Sequence, residues 1–514
     1  SASLVGSEMC IRDRISYIGY QTQEVKAART MKIILKEDSE LLQEVVVVGY
    51  GTQKKANLTG AVATVDVNKT LDSRPIADIG RGLQGAVAGV NITIPTGEVG
   101  SDPLIKIRGQ VGSISGNNTP LILLDNVEIP SIQMVNPNDV QSISVLKDAA
   151  SSSIYGSKAA FGVILITTKS GAQSDKFEIS YSNNFSWQDP AKKIEIGGIE
   201  ALQYTLDAQT NRREPMPAGG FWRISPESLE KAIEWQNLYG GKVKWNDPVV
   251  YGRDWFYDGK DKYGYRLYDG AKAMIKNWTP TMTHNLSVNG KSGKTSYNIG
   301  LGYLDQSGMS KTAKKDDFKR YNASVSVTSE INKYITVRAS SIYSDRNKRY
   351  PGIGNTTADP WLYLYRWSPL MPMGVTENGN PLKEPTYEMA AANTDNLQNK
   401  YYNINLGFTL NLTKNWDVKF DYTYDRQTTE TNSSVMQYEA GEMWYAPTAW
   451  MENGSQVFVN EQGERVDTGG MPAYRFPVNK YYNSSGPSAS QVGNNSKSID
   501  NNTFNIYTTY NLLL

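Results

Sequence analysis

Among 514 residues there is one histidine, His284, and one cysteine, Cys10. A Ser-His-Asp triad needs an imidazole base, and a zinc centre needs a cluster of His and Cys, so most hydrolase and metalloenzyme chemistries are closed to this chain. An intrachain disulfide is equally excluded. Carboxylates in the longer connections, Asp254 and Asp305 among them, are the remaining candidates for acid–base work, but no paired geometry can be read from their spacing, and solvated charge is the commoner role. A different chemistry, association through backbone hydrogen bonds, is open to the segment where Glu44 precedes Val45, Val46, Val47 and Val48 and is followed by Gly49, Tyr50 and Gly51. Four β-branched residues in a row favour extended backbone. With polar flanks, such a strand suits addition to another protein's sheet edge; the pattern by itself fits a buried core strand equally well.

Length, charge and periodicity bound the scaffold that must position these residues. The length predicts about three or four domains, or one unusually large all-β unit. Lys and Arg number 53 against 52 Asp and Glu, a net charge of +1, which removes the global case for a nucleic-acid partner. No stretch approaches the roughly 18 apolar residues of a transmembrane helix. Residues 1–14 match neither the composition nor the period of the rest of the chain and read as a non-native or disordered segment. Residues 15–38 hold short β-rich runs that read as the end of a small β-sandwich, and 39–52 carry the valine segment and a linker. Residues 53–175 form a Gly-punctuated α+β block, with strands at 90–94, 104–108, 121–124 and 163–168 and helices at 78–88 and 147–160.

From residue 176 to 514 the period becomes two. Phe177, Ile179, Tyr181, Phe185 and Trp187 alternate with small polar residues, and the pattern returns at Leu286 and Val288, at Tyr297 to Tyr303, at Tyr321 to Val327, at Tyr402 to Leu412 and at Trp416 to Tyr424. Strands of about ten residues with one apolar face and aromatic ends match transmembrane β-strands. Short connections at 290–294, 330–333 and 413–415 alternate with long ones at 188–280, 305–317, 345–400 and 427–502, the asymmetry of an outer-membrane barrel, whereas loops of a soluble sandwich seldom segregate so cleanly. The expected fold is thus a transmembrane antiparallel β-barrel with long external loops, preceded by an α+β domain. Inside the first long connection, Ser225 and Pro226 mark a helix start.

Several motifs in order then resemble the SusC/RagA family of TonB-linked outer-membrane transporters of Bacteroidota: LLQEVVVVGYGTQKKANLTGAV at 41–62, GLQGAVAGVNI at 82–92, IKIRG at 105–109, the run from Asn136 to Gly171, and HNLSVNG with LGYLDQSGM between His284 and Met309. The resemblance implies that Glu44 to Gly51 is the TonB box, pairing with an edge strand of TonB, itself working with ExbB and ExbD. It implies that 53–175 is a plug closing the pore, and that 15–38 end a carboxypeptidase-regulatory-like sandwich. It places Arg108, Gly109, Asp125, Lys147, Asp148, Tyr155 and Gly156 on plug motifs, with a structural role in the plug fold and its polar contacts to the wall. Asn126 stands where the family usually has Gly, and Phe161 where Asn is common, which puts local turn geometry in question. About eight strands are countable, whereas a plugged barrel needs about 22, so the expected object is an N-terminal portion of such a transporter.

The function implied is TonB-dependent import of an oligosaccharide or peptide across the outer membrane, with a SusD-like lipoprotein lid, outer-membrane lipid around the barrel, no covalent chemistry and no cofactor. A siderophore or cobalamin receptor would use the same machinery; Tyr, Trp and Asn in the loops lean away from it. An adhesin anchored by a barrel would need neither the valine segment nor the α+β block.

Overall fold

The computed structural model describes residues 12–15, 23–26, 45–48, 51–54, 62–65, 78–94, 98–109, 119–169, 171, 175, 177–190, 193–212, 224–257, 262–351, 368–375, 377, 379, 382, 384–391, 394–413, 415–434, 449–452, 455–459, 465–466 and 492–510. Short β-branched runs give short strands at the start. β1 (Arg12–Ile15) pairs with β2 (Gln23–Lys26), so regular pairing begins inside the stretch 1–14 that composition sets apart. β3 (Val45–Val48) turns back on β4 (Gly51–Lys54), with Val48 opposite Gly51.

The α+β domain comes next, with β5 (Val62–Val65), α1 (Ile79–Leu83), β6 (Val90–Thr93), β7 (Leu104–Ile107), β8 (Leu121–Leu124), β9 (Val127–Glu128), β10 (Val140–Leu146), α2 (Ala149–Ser152) and β11 (Val163–Thr168). One sheet runs in the order β5, β10, β11, β8, β9; β6 and β7 form a separate hairpin. Strand β11 is apolar on both faces over Val163–Ile166 because both are covered, and β10 turns Ile143 and Val145 to one of them. One face packs Ile143, Val145, Ile164 and Ile166 with Ile79 and Leu83 of α1 and the β6–β7 hairpin. The other gathers Leu121, Leu123, Leu146, Val163 and Leu165 around Ala159. The single helix expected over 147–160 is divided: α2 stops at Ser152, and the 3-10 run over Ser153–Ala159 is broken at Gly156, whose φ of 67° and ψ of −154° lie outside helical geometry.

The remainder comprises β12 (Glu178–Gln188), α3 (Ile199–Arg212), α4 (Pro226–Tyr239), β13 (Trp255–Tyr257), β14 (Lys262–Gly264), α5 (Gly270–Met274), β15 (Thr279–Ser292), β16 (Thr295–Ser307), β17 (Asp317–Glu330), β18 (Ile335–Pro351), α6 (Pro385–Ala391), β19 (Thr394–Thr413), β20 (Trp416–Ser434), β21 (Ala449–Glu452), β22 (Ser455–Val459), β23 (Arg465–Val466) and β24 (Val492–Tyr510). Strands β12, β15 to β20 and β24 form one eight-stranded antiparallel sheet in chain order. The register sets the apolar residues of successive strands side by side, as in the row Tyr181, Leu286, Leu301, Ala323, Tyr343, Tyr402. That face is left uncovered, with Phe177 and Tyr181 each at least 60% exposed, a continuous apolar band of the kind that faces lipid. The opposite face is small and polar and receives the α+β domain. Tight turns lie at one end of the sheet and long connections at the other. The connection expected at 305–317 shrinks to 308–316, because β16 and β17 remain paired up to Ser307 and Asp317.

The long connection before β15 folds into a helical unit of its own. Ser225 Oγ accepts from Ser228 N at 3.0 Å with Pro226 in the first turn of α4, so this helix starts where its cap predicts. Leu202, Leu229, Ala232 and Leu370 form its core. At its centre the buried Asp254 accepts hydrogen bonds from Arg253 Nε (2.8 Å), Val250 N (3.0 Å) and Trp235 Nε1 (3.0 Å), with Arg266 Nη1 at 3.2 Å. Burial alone would raise this carboxyl; the bonds from Arg253 and Val250 and the charge of Arg266 hold it below the usual carboxylate range. A group with a depressed folded pKa contributes stability above its unfolded pKa and loses it as pH falls through the folded value. Asp254→Asn should therefore cost this unit about 3 kcal/mol, the penalty for removing one partner of a buried pair. The wild-type unit should loosen as pH drops below the ordinary Asp pKa of about 4. Tryptophan fluorescence of the full-length protein reads both, and a signal flat from about pH 5 to pH 2.5 in the wild type would contradict the assignment.

Candidate functional site at the domain–wall interface

The polar face of the sheet is polar because another domain sits on it. Register places Arg320 of β17 directly opposite Arg346 of β18, and both are buried, at 4% and 7% exposure. Like charges opposite one another destabilise a sheet, and buried charge needs a partner. The α+β domain supplies it. Arg346 Nη1 donates to Ser131 Oγ at 2.9 Å and lies 3.4 Å from Asp102 Oδ1. Ser131 also donates to Asp102. Lys348 Nζ reaches Glu98 Oε2 at 2.6 Å. Arg320 Nη1 donates to Gln133 O at 3.1 Å, with Asp78 and Asp139 within electrostatic reach. Three wall cations thus face four carboxylates of the domain. Burial pushes the Asp78 and Asp139 carboxyls above the usual range, offset in part by bonds from Arg81 N and Ser324 Oγ.

Around this seam the fit is tight. Asn322 Nδ2 donates to Met134 O (2.8 Å), Ser324 Oγ to Asp139 Oδ2 (2.9 Å) and Asn136 Nδ2 to Asn285 Oδ1 (3.0 Å). Gly300 and Gly302 of β16 are small by necessity, since a Cβ on them would collide with Asp139 and Asn136. The segment from Ser131 to Asp139 enters as two 3-10 turns capped by Ser131 and Asn136, which aims its carbonyls and carboxylates at the wall. On the opposite flank a cavity of about 340 Å³ separates Asp125 and Thr168 from wall residues Arg338, Asp421 and Tyr507.

The residues selected from sequence fall into two groups. Val45 to Val48 are extended, as expected, and pair on one edge with β4, in a sheet that has no third strand among the described residues; Gly51 opens β4. Glu44, Gly49 and Tyr50 lie outside the described residues. The plug-motif residues mostly shape the domain itself. Arg108 and Gly109 form a left-handed turn (φ 57° and 64°) after β7. Asp125 and Asn126 (φ 47° and 68°) make the two-residue β8–β9 turn, a conformation that Asn tolerates, so the departure from Gly at 126 leaves the turn intact. The Asp125 carboxylate accepts from Thr168 N and Oγ1 at 2.9 and 2.7 Å. Lys147 Nζ donates to Ala88 O at 2.6 Å, Asp148 caps α2 by accepting from Ser151 N at 2.8 Å, Tyr155 packs beneath the second core, and Gly156 breaks the 3-10 run.

Of this set Asp125 lies within electrostatic reach of wall residue Arg338; further polar contacts to the wall come from Asp78, Glu98, Asp102, Ser131 and Asp139, which sequence reasoning did not single out. Their signal was Arg320, Arg346 and Lys348 on the same face as the small polar residues of β17 and β18. Asp305, weighed for acid–base work, pairs with Lys319 at 3.0 Å and accepts from Tyr303. His284 lies on the apolar face between Tyr181 and Tyr303, with its Nδ1 2.8 Å from the Tyr181 hydroxyl.

Comparison with known proteins bears directly on this arrangement. Residues 54–163 match the family model described as TonB-dependent Receptor Plug Domain. The TonB-dependent receptor SusC of Bacteroides thetaiotaomicron is 30% identical over 322 residues, 61% of this chain and 27% of its own. The TonB-dependent receptor P26 of Formosa agariphila is 29% identical over 396 residues, 75% of this chain and 35% of its own. Among solved structures, the RagAB peptide importer in its open-open state superposes with a TM-score of 0.56 at 27% identity, covering 76% of this chain and 43% of that one. The chain thus spans about a third or less of these two curated relatives. The seam makes a prediction of its own. Arg346→Glu in the full-length protein should set a carboxylate against Asp102 and weaken seating of residues 78–169 by about 3 kcal/mol. Limited trypsinolysis should then cut this domain faster than in wild type, Asp102→Lys should partly restore protection, and equal cleavage in all three proteins would exclude the seam as a clamp.

Proposed function

Because this chain belongs to the SusC/RagA family of TonB-dependent receptors, we propose that it imports an oligosaccharide or peptide across the outer membrane. The observation that carries this reading is a plug clamped by one flank to a lipid-facing β-wall, with an extended valine strand just upstream. TonB, energised through ExbB and ExbD, adds a strand to Val45–Val48 and pulls. The pull passes through 55–61 to β5, which among the described residues pairs with β10 alone, over four residues. That edge has a single neighbour, as β9 has at the other edge, while the Arg320, Arg346 and Lys348 seam holds the flank beside β17 and β18. Displacement of the domain from that edge opens a path past the cavity at Asp125, which borders β8 and β9 on the far side of the sheet. A SusD-like lipoprotein captures the solute over the long connections. The peptide import named for RagAB supports a peptide as one of the two solute classes. No bond is made or broken in the solute; the work is mechanical.

Deleting residues 44–51 from the intact gene should abolish growth on the imported nutrient while leaving surface binding unchanged. Undiminished growth would refute TonB coupling through this segment.

A further inference from the structure

At the end of the wall where the long connections gather, the structure concentrates lysines that import does not use. Lys242 and Lys244 follow α4, Lys272 and Lys276 lie in and after α5, and Lys311, Lys314 and Lys315 lie between β16 and β17; all seven are exposed. The fold knits these three stretches together. Lys276 N donates to Met309 O at 2.7 Å and Lys311 N to Met274 O at 2.9 Å. Lys311 Nζ donates to Lys272 O at 3.0 Å and lies 5.0 Å over the Trp245 ring, and Arg266 Nη2 donates to Lys244 O at 2.6 Å.

The local carboxylates are already engaged. Asp247 accepts from Lys244 N, Asp269 caps α5 and lies 3.6 Å from Lys272, Asp316 accepts from Ser310 N, and Asp317 grips Arg349 through both oxygens. Among the described residues, Lys244, Lys276 and Lys315 have no carboxylate within ion-pair distance. In a chain of net charge +1, this is a local positive surplus.

The surplus adjoins the lipid-facing surface. Trp187 and Trp278, 61% and 64% exposed, stand at the same end of β12 and β15, and Trp278 is held there with φ of 56°, a conformation uncommon for a large side chain. Two levels further into the sheet on the apolar face, past the Asp305–Lys319 pair, come His284, Tyr303 and Tyr321. Exposed Trp over a belt of Tyr marks a membrane–water interface. The lumen-facing Thr279, Gln306 and Phe318 are buried, and Lys276 precedes the exposed Trp278 by two residues, which joins the patch to the lipid side of the rim. Clustered cations beside an aromatic belt match anionic headgroups.

We propose that this lysine patch binds the phosphorylated sugar headgroup of a glycolipid in the surrounding leaflet. The assignment rests on the outer-membrane placement above. It is tested on the full-length protein in nanodiscs, with native mass spectrometry of bound diphosphorylated lipid A against its dephosphorylated form. Wild type should bind the phosphorylated lipid at least tenfold tighter. The triple variant Lys244→Gln, Lys276→Gln, Lys315→Gln should lose that preference, and the corresponding triple Lys→Arg variant should keep it. An unchanged preference in the Gln variant, no preference in wild type, or loss in the Arg variant as well would overturn the proposal. So would a soluble polygalacturonate whose binding is lost in the Gln variant while lipid binding persists, since the patch would then serve a solute. The assay involves neither TonB nor uptake, so its failure leaves the import reading standing, and undiminished growth after deleting 44–51 would leave the lipid result standing.

Discussion

Two guanidinium groups facing each other across neighbouring strands, both out of water, are an arrangement that cannot stand alone. Arg320 and Arg346 are in this position, and the acidic flank of the plug makes it tolerable. Asp78, Glu98, Asp102 and Asp139 come from four separate places in the chain, and they converge only because the sheet of the plug and its two capped 3-10 turns bring them to one side. The dependence is mutual. Asp78 and Asp139 are buried carboxyls whose ionised form is disfavoured by burial, and the wall cations and Ser324 recover part of that cost. Each surface supplies partners to the buried charge of the other, and together they define how the plug is seated.

From this constraint come features that look unrelated. Strands β16 and β17 carry Gly300, Gly302, Asn322 and Ser324 on the lumen face, because larger groups would push the plug's asparagine and aspartate side chains away. Away from the seam a cavity lies beside Asp125 on the β8–β9 turn, and among the described residues the edge strands β5 and β9 are each held by one neighbour. Under the import proposed above, a domain clamped on one flank is one that force at an edge strand moves without detaching the whole. The helical unit before β15 uses the same device on a smaller scale, with the Asp254 carboxylate between Arg253 and Arg266 ordering an otherwise irregular connection.

Much of the architecture was legible in the residues. Alternation from Phe177 to Trp187 and from Tyr402 to Leu412 gives the lipid face directly, because a period of two leaves no other way to separate apolar from polar side chains on a strand. Ser225 and Pro226 mark the start of α4, and the runs at 121–124 and 163–168 are strands within those bounds. What local pattern could not convey was interruption and continuation. Gly156 breaks a helix that Ala and Ser would otherwise extend, and β18 and β19 run on past their apolar stretches to Pro351 and Thr394, because hydrogen bonding between neighbouring strands does not require apolar side chains.

The sequence by itself determined the kind of object: alternating strands with one apolar face, an α+β block, and an extended valine segment ahead of it, since periodicity and β-branching act over a few residues. It also determined which motifs recur in the family. Only the tertiary structure decided which charges meet. Asp102 and Arg346 are 244 residues apart, and nothing in either neighbourhood names the other; their pairing depends on strand register and on where the plug's turns point. The same holds for the lysines from 242 to 315, scattered through loops and helix ends, which form one patch only where backbone pairing and the Trp245 ring draw three connections together. Short-range physics writes the elements into the chain, and long-range electrostatics acts on the positions that folding gives them.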